Sequence, residues 1–477
     1  MIERNTSIYK SQKEFIENLF EFDDTPVEEI CTHRSEVVCL YLNDDKETWK
    51  KTILENRHTL YPVCDEDNDD VVGILDTRDY FRLDSIEQDN VINKAMDQPF
   101  FISQNMKADV LLKEMKIKKV LMGVALAAMC LMSAQAQRRN EIQVPNLNGY
   151  TTLKCDFHMH SVFSDGLVWP TVRVDEAYRE GLDAISLTEH IEYRPHKKDI
   201  IADHNRSYEL SQKQAKKLGI LLIRGSEITR SMPPGHFNAI FLNDSNPLEQ
   251  KAYKDAFNEA KKQGAFIFWN HPGWARQQPD STLWWPEHTQ LYNDGCMHGI
   301  EVANGGLFMP EAIQWCLDKN LTMIGTSDIH QPIQTDYDFS KGEHRTMTFV
   351  FAKERSPEGI REALDNRRTA VYYRELVIGR EEILRPFFEK CVDIKEVKRT
   401  EKEVTFSVMN ATDLVLKLKK TAHDPSLVYF REMTLKPHTQ HTISVKFENG
   451  IKGGDCNFEV TNFIVAPDKG LDYTIKL

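Results

Sequence analysis

Cys155-Asp156-Phe157-His158-Met159-His160-Ser161, closed by Ser164-Asp165-Gly166, is the stretch on which the reading of this chain turns. Thr152–Phe157 has the pattern of a strand. His158 and His160, two apart on extended backbone, then face one side while Phe157 and Met159 face the other. Five more motifs follow: Thr188-Glu189-His190, Gly225-Ser226-Glu227, Gly235-His236, Asn270-His271-Pro272-Gly273 and Thr326-Ser327-Asp328-Ile329-His330. Nearly all of them close a short apolar run; the exception is His236, which opens its strand.

The strand runs expected after Thr152–Phe157 are Ala184–Leu187, Ile220–Arg224, Phe237–Leu242, Ala265–Trp269, Gly299–Val302, Thr322–Gly325 and Thr346–Phe351. Helices are expected over Val172–Gly181, Asn205–Leu218, Glu249–Gln263, Pro310–Lys319 and Pro357–Asn366. This alternation predicts an α/β fold with a parallel barrel inside a ring of helices. Such barrels carry their chemistry at the C-terminal ends of the strands. A single histidine on a strand is more often a satisfied core residue. Six at strand ends, accompanied by Asp165, Glu227 and Asp328, point to a metal centre, because imidazoles and carboxylates together suit zinc, manganese or iron.

Residues 151 to about 375 resemble the PHP (polymerase and histidinol phosphatase) family, with all of its usual metal motifs. The resemblance implies a distorted (β/α)7-type barrel and two to three divalent ions (Mn2+, Zn2+ or Fe2+). His158, His160, Glu227 and Asp328 would hold a first ion. Glu227, His236 and His271 would hold a second, with Glu227 bridging, and Asp165, His190 and His330 a third. Glu189 stands where the family commonly has aspartate, and its expected role is to orient His190. The chemistry implied is hydrolysis of a phosphoric ester by a metal-bridged hydroxide. Glu227, Asp328 and His330 are the expected catalytic residues, and Arg230, three residues after Glu227, is a candidate for phosphate binding, as are the residues of the basic loop named next. His196, Lys197, Lys198, His204 and Arg206 form a second basic loop, and Trp269, Trp274, Trp284 and Trp285 either shape a substrate rim or pack between helices. Glu301 is placed as support behind the ligands.

The longer stretch from Asn148-Gly149-Tyr150 to Tyr193-Arg194-Pro195-His196 is similar to exported Sb-PDE-type phosphodiesterases within the PHP superfamily. It implies a small phosphodiester as substrate. A histidinol-phosphatase-like monoesterase fits the same metals but fits export poorly. After about Leu384 short alternating strands predict an antiparallel β-sandwich over 385–477.

The N-terminal part reads differently. Phe22–Ile30, His58–Val63, Val71–Leu75 and Pro99–Ile102 resemble the CBS-domain region of the hemolysin C/CorC family. One CBS domain is expected at 20–86 and a truncated second at 87–114. A paired module would imply adenine-nucleotide sensing; half a pair argues against a bound nucleotide and against a regulatory protein built on it. Met115-Lys116-Ile117-Lys118-Lys119, the apolar run Val120–Met132 and Ala134-Gln135-Ala136 then read as a signal peptide over 115–136, followed by a linker at 137–150. Translation from Met115 would send the protein to the periplasm or outside the cell; as a full fusion it would be cytoplasmic or membrane-anchored. The apolar run is too short for a stable membrane span, which needs about 20 residues. The net charge of −13 excludes a nucleic-acid-coating role. Nine scattered cysteines without a CxxC pair exclude a disulfide framework and a zinc ribbon.

Overall fold

The computed structural model describes residues 139–477 except 423 and the side chain of Ser340. In the N-terminal part it describes residues 27, 31–32, 37–56, 58–65, 70–83, 91, 94–99, 101–103, 106 and 110–111. The signal-like segment 115–136 and the start of the linker lie outside these residues, as do most of 20–36 and much of 87–114. The chain forms two compact units, Met1–Arg138 and Arg139–Leu477.

In the first unit, strands β1 (Leu40–Tyr41), β2 (Leu60–Asp65), β3 (Asp70–Asp76) and β4 (Met96–Asp97) form one sheet in that order. The helix Lys46–Asn56 packs on it through Trp49 and Ile53, beside Tyr61, Val63 and Leu75. The CBS-like stretches His58–Val63 and Val71–Leu75 fall on β2 and β3, which pair antiparallel.

The second unit is built on one long mixed sheet. Its first strands are β5 (Thr151–Asp156), β6 (Ala184–Leu187), β7 (Leu221–Ile228), β8 (Phe237–Ile240), β9 (Phe266–Trp269), β10 (Gly299–Asn304), the short β11 (Leu307–Phe308), β12 (Thr322–Thr326), β13 (Met347–Ala352), β14 (Thr369–Tyr373) and β15 (Leu376–Gly379). β5, β6 and β7 are parallel, as are β9, β10 and β12. The all-parallel expectation fails in two places. β8 runs antiparallel to both β7 and β9, and β13 runs antiparallel to β5. Only Thr229 to His236 lies between the end of β7 and the start of β8, which leaves no room for a crossover helix.

This reversal explains the one motif that did not fit. His236 precedes β8, whose first residue Phe237 pairs with Ile228 at the end of β7. An antiparallel strand begins where its parallel neighbours end, so His236 joins the other ligands although it opens its strand.

Among the expected helices, Pro170–Arg179, Arg206–Leu218, Tyr253–Lys262, Pro310–Asp318 and Pro357–Asp365 are present within a few residues of their predicted bounds. Pro286–Asn293 and Glu381–Cys391 had not been expected. The latter spans the expected domain boundary at 384, burying Leu384, Phe387, Phe388 and Cys391.

Beyond it, β16 (Val392–Arg399), β17 (Glu403–Asn410), β18 (Leu416–Lys420), β19 (Leu427–Val428), β20 (Glu432–Leu435), β21 (Gln440–Phe447), β22 (Asp455–Ala466) and β23 (Lys469–Lys476) divide between two sheets. One is β16-β17-β21-β19, antiparallel throughout. The other is not separate: β22 pairs in parallel with β15 through Val377↔Phe463 and Ile378↔Ile464. The long sheet thus continues into the C-terminal region. The inward residues of both sheets (Val404, Phe406, Leu416, Leu418, Ile443, Phe458) share a core with Phe387 and Phe388. Cys155, Cys296, Cys316, Cys391 and Cys456 are all buried free thiols.

Candidate metal centre

The strand ends that carry the motifs are stitched together by their own backbones. The amide of His160 donates to the Ile329 carbonyl at 3.0 Å and that of Asp328 to the His158 carbonyl at 2.9 Å. Glu227 and Ile191 make reciprocal bonds with the Glu189 and Glu227 carbonyls at 3.0 and 2.9 Å. Asn270 donates to the His236 carbonyl at 3.0 Å. His271 and Asp328 sit at φ 31° and 52°, the left-handed region that non-glycine residues avoid. Such conformations persist where the surroundings overdetermine them, as at ligand sites.

All nine sequence-predicted ligands come together. Asp328 Oδ1 lies 3.1 Å from His158 Nε2 and 3.1 Å from His160 Nε2. Glu227 Oε2 is 3.6 and 3.5 Å from the same two nitrogens. Asp165 Oδ1 is 3.3 Å from His190 Nε2 and 3.2 Å from His330 Nε2. Glu227 Oε1 is 2.8 Å from His236 Nδ1 and 3.8 Å from His271 Nε2. Three sets of ligand atoms each lie within 4.8 Å of one another: His160, Asp165, His190 and His330; His158, His160 and Glu227; His190, Glu227 and His236. His160 and His190 thereby belong to two sets each, which makes the grouping more interlocked than the division into three separate triads and tetrads expected from sequence.

The hydrogen bonds behind the histidines decide which nitrogen faces inward. His158 Nδ1–H donates to Glu301 Oε1 at 2.8 Å, and His330 Nδ1–H to the Asp328 carbonyl at 2.7 Å. His190 Nδ1 meets Thr229 Oγ1 at 2.6 Å, and His160 Nδ1 meets Ser164 Oγ at 3.3 Å. For His158 and His330 an acceptor on Nδ1 leaves Nε2 as a lone pair pointing into the cluster, the arrangement a metal-ligating imidazole requires, whereas His190 Nδ1 also faces Glu227 Oε2 at 2.6 Å. Glu301 is the support expected of it. Glu189 is not. It accepts from the Ser161 amide at 3.1 Å, the Ser161 hydroxyl and the Ser164 hydroxyl at 2.6 Å. It therefore fixes the turn that aims His160 and Asp165, while Thr229 takes the role on His190 assigned to it from sequence. In that turn a Cβ on Gly166 would come within 2.6 Å of the His160 backbone, so the close approach needs glycine.

Electrostatically the cluster demands cations. Burial works against ionised Glu227 and Asp328, yet the surrounding imidazoles hold both carboxyls well below the usual range. His190 is likewise opposed by burial, but the Glu227 and Asp165 carboxylates raise it to about 10. Burial and the neighbouring His330 and His190 push His160 down to about 3. Glu227 Oε2, Asp165 Oδ1 and His236 Nδ1 are buried without a hydrogen-bond partner. Imidazole nitrogens lie close to these atoms but misaligned, as lone pairs aimed at a shared point would be. Buried orphan acceptors of this kind fit a divalent ion.

Arg230 is held elsewhere. Its guanidinium bonds Glu192 Oε1 and the Gln250 carbonyl, both at 2.6 Å, and the Lys251 carbonyl at 3.1 Å. None of these is a ligand residue. In the basic loop, His204 bonds Glu249 at 3.1 Å while Lys197 and Lys198 are exposed. Of the tryptophans, Trp269 is buried and stacks on Trp315. The Trp274 ring packs against two candidate ligands, 5.1 Å from His271 and 5.6 Å from His236.

Two buried groups carried no sequence signal. Asp156 accepts from Ser327 Oγ at 2.5 Å, from the Ser327 amide at 3.2 Å and from the His158 amide at 3.3 Å, so it welds the β5 end to the β12 end. Arg345 is fully buried and pairs with Asp156 at 3.0 Å and Glu180 at 2.6 Å. Asp156 sits inside the quoted motif, but its partner is nearly two hundred residues away, and no local pattern connects them.

A two-domain protein of Bacteroides vulgatus, containing a predicted PHP-like metal-dependent phosphoesterase, is 82% identical to this chain, with a TM-score of 0.71 over 72% of this chain and 100% of that one. The chain belongs to the PHP-like metal-dependent phosphoesterases. The C-terminal region of this phosphoesterase matches a family described as an Ig-like domain, DUF5001, over residues 392–476. Its N-terminal region is similar to the CBS domain of the bacterial CNNM/CorC family Mg2+ transporter, solved with ATP (30% identical, TM-score 0.21, 23% of this chain and 79% of that one). Among curated proteins, UPF0053 protein YugS of Bacillus subtilis is 26% identical over 117 residues, 24% of this chain. Magnesium and cobalt efflux protein CorC of Pasteurella multocida is 24% identical over 123 residues, 26% of this chain. The phosphoesterase chain spans only 27% and 41% of their lengths. Among the described residues no helix is long and apolar enough to cross a membrane.

Proposed function

We propose that this metal-dependent phosphoesterase hydrolyses small phosphodiesters at a centre of two to three divalent ions. The observation that carries the reading is the convergence of imidazole nitrogens on the orphaned oxygens of Glu227 and Asp165. His158, His160, Glu227 and Asp328 would hold one ion, Glu227, His236 and His271 a second, and Asp165, His190 and His330 a third. Bound there, the ions would supply Lewis-acid activation of water and neutralise charge on the phosphoryl oxygens.

The residues do the remainder. The His330 side chain is 32% exposed, against 0% for His158 and His160, so the ester enters on the Asp165–His330 side. Asp328, kept ionised, offers Oδ2 to accept a proton from the attacking water. Asn304, 3.3 Å from that oxygen, orients it. We read the sheet from β5 to β15 as the wall of a distorted PHP barrel, closed at β12 by Thr348 Oγ1, which exchanges hydrogen bonds with Gly325. The diester preference rests on the sequence likeness of residues 148–196 to Sb-PDE-type enzymes, and the same likeness supports export from Met115.

Turnover of bis(p-nitrophenyl) phosphate and p-nitrophenyl phosphate by the Mn2+- or Zn2+-loaded protein tests the reading, with His158→Ala/His160→Ala as control. Metal-dependent diester cleavage lost in the control supports it. Monoester cleavage alone replaces it with the phosphatase alternative.

A further inference from the structure

The sequence made Arg230 a candidate for phosphate recognition, and the structure ties that side chain to Glu192 and two carbonyls. Arg276 is different. Its guanidinium lies over the Trp274 ring, 5.8 Å from the centroid, and the residue is exposed. Among the described residues it has no carboxylate or carbonyl partner. Arg194, Arg206 and Arg224, by contrast, are tied down: Arg194 bonds the Ala202 carbonyl, Arg206 bonds Glu209 and Arg224 bonds the Asn243 carbonyl.

Its carrier is rigid. The Trp274 amide donates to the His271 carbonyl at 2.9 Å, directly linking the turn to a ligand. The Gln277 side chain donates to the Arg230 carbonyl at 2.9 Å, and the Gln278 side chain to the Pro272 carbonyl at 2.8 Å. Trp285 Nε1 in turn donates to Gln278 Oε1 at 3.1 Å. The Trp274 ring thus touches the candidate-ligand imidazoles of His236 and His271 and also carries the guanidinium. Stacking on an indole preorganises a guanidinium while leaving its N–H fork to a planar anion.

We propose that Arg276, held by Trp274, is the specificity-determining residue of this site, and that the preferred phosphoester carries a second anionic group beyond the reacting phosphorus. The guanidinium packs on this ring, and among the described residues on no candidate ligand, so it reads a group beyond the reacting phosphoryl. A phosphate or a carboxylate has the required two-oxygen face. This inference rests on the phosphoesterase reading, since it concerns which ester the centre accepts.

The test is a binding measurement, which needs no turnover. Calorimetric titration of the metal-loaded full chain compares phenylphosphonate with 1,4-phenylenebisphosphonate and 4-carboxyphenylphosphonate. The wild type is expected to bind one or both dianionic-ended probes about tenfold more tightly than phenylphosphonate, a typical gain for one charge-assisted contact. Which probe gains identifies the second group. Arg276→Ala should abolish that gain while leaving phenylphosphonate affinity within twofold, and Arg276→Lys should restore part of it. No gain in the wild type, no binding of any probe, or an undiminished gain in Arg276→Ala would overturn the inference. Absence of diester cleavage with the gain intact would instead remove only the diesterase reading.

Discussion

His158 Nδ1 and Glu301 Oε1 lie 2.8 Å apart with neither side chain exposed to solvent. Glu301 is saturated: Thr326 Oγ1 donates to the same oxygen at 2.6 Å, and the His271 amide and Asn304 Nδ2 donate to the other at 2.6 and 2.8 Å. One carboxylate therefore orients ligands from two different strand ends. In Glu301→Gln the amide nitrogen must face two donors, whichever way it flips. Metal affinity, measured by chelator competition, should fall about 10- to 100-fold. An unchanged affinity would show that Glu301 merely packs.

Thr229 plays a comparable part for His190, accepting at 2.6 Å from Nδ1 while its hydroxyl lies 3.3 Å from the Glu227 carbonyl. Thr229→Val keeps the shape and removes the acceptor. The protein should lose about tenfold in affinity for its weakest-held ion, and Thr229→Ser should recover it. Equal affinities for the two variants would contradict the assigned tautomer.

The buried Arg345 is expected to be structural. Burial opposes its charge, but Glu180 and Asp156 hold the guanidinium protonated. Arg345→Met leaves two acids uncompensated in the interior and should cost about 3–5 kcal/mol in urea unfolding, the range for breaking a buried pair. A loss below about 1 kcal/mol would mean that water reaches the two carboxylates.

How far the sequence carried depended on whether a signal was local. The nine ligands were legible because each sits in a short motif at a strand end, and Ala184–Leu187 was predicted to the residue. The reversal of β8 was not legible. Phe237–Ile240 gives the same strand signal in either direction, and direction is settled by which neighbours it pairs with. The β15–β22 pairing and the Asp156–Arg345 contact failed for the same reason, being set by partners 86 and 189 positions away. Glu189 lies past the end of β6 and bonds Ser161 and Ser164, and Arg230 lies past the end of β7 and pairs with Glu192, contacts that proximity in sequence to a histidine or to Glu227 does not reveal.

His288 gives the fold an acid sensitivity of its own. Its Nε2–H donates to the Pro234 carbonyl at 2.7 Å, and its Nδ1 accepts from the Trp285 amide at 3.0 Å. Burial pushes the ring down to about 4, from an ordinary 6.5. A depressed folded-state value means the neutral ring stabilises the fold above pH 6.5, and that contribution is lost as pH falls toward 4. Between pH 7 and pH 4.5 the wild type should lose about 2–3 kcal/mol more than His288→Gln. Parallel losses in urea unfolding would show that His288 is not the group responsible.

The account turns on Glu227 as the shared ligand, and the metal-to-protein ratio tests this most directly. After Mn2+ or Zn2+ loading and dialysis, the wild type should retain about two to three ions per chain. Glu227→Gln should retain one or fewer, with an unchanged circular dichroism spectrum. Fewer than one ion in the wild type, or the same number in both proteins, would contradict the metal centre described here.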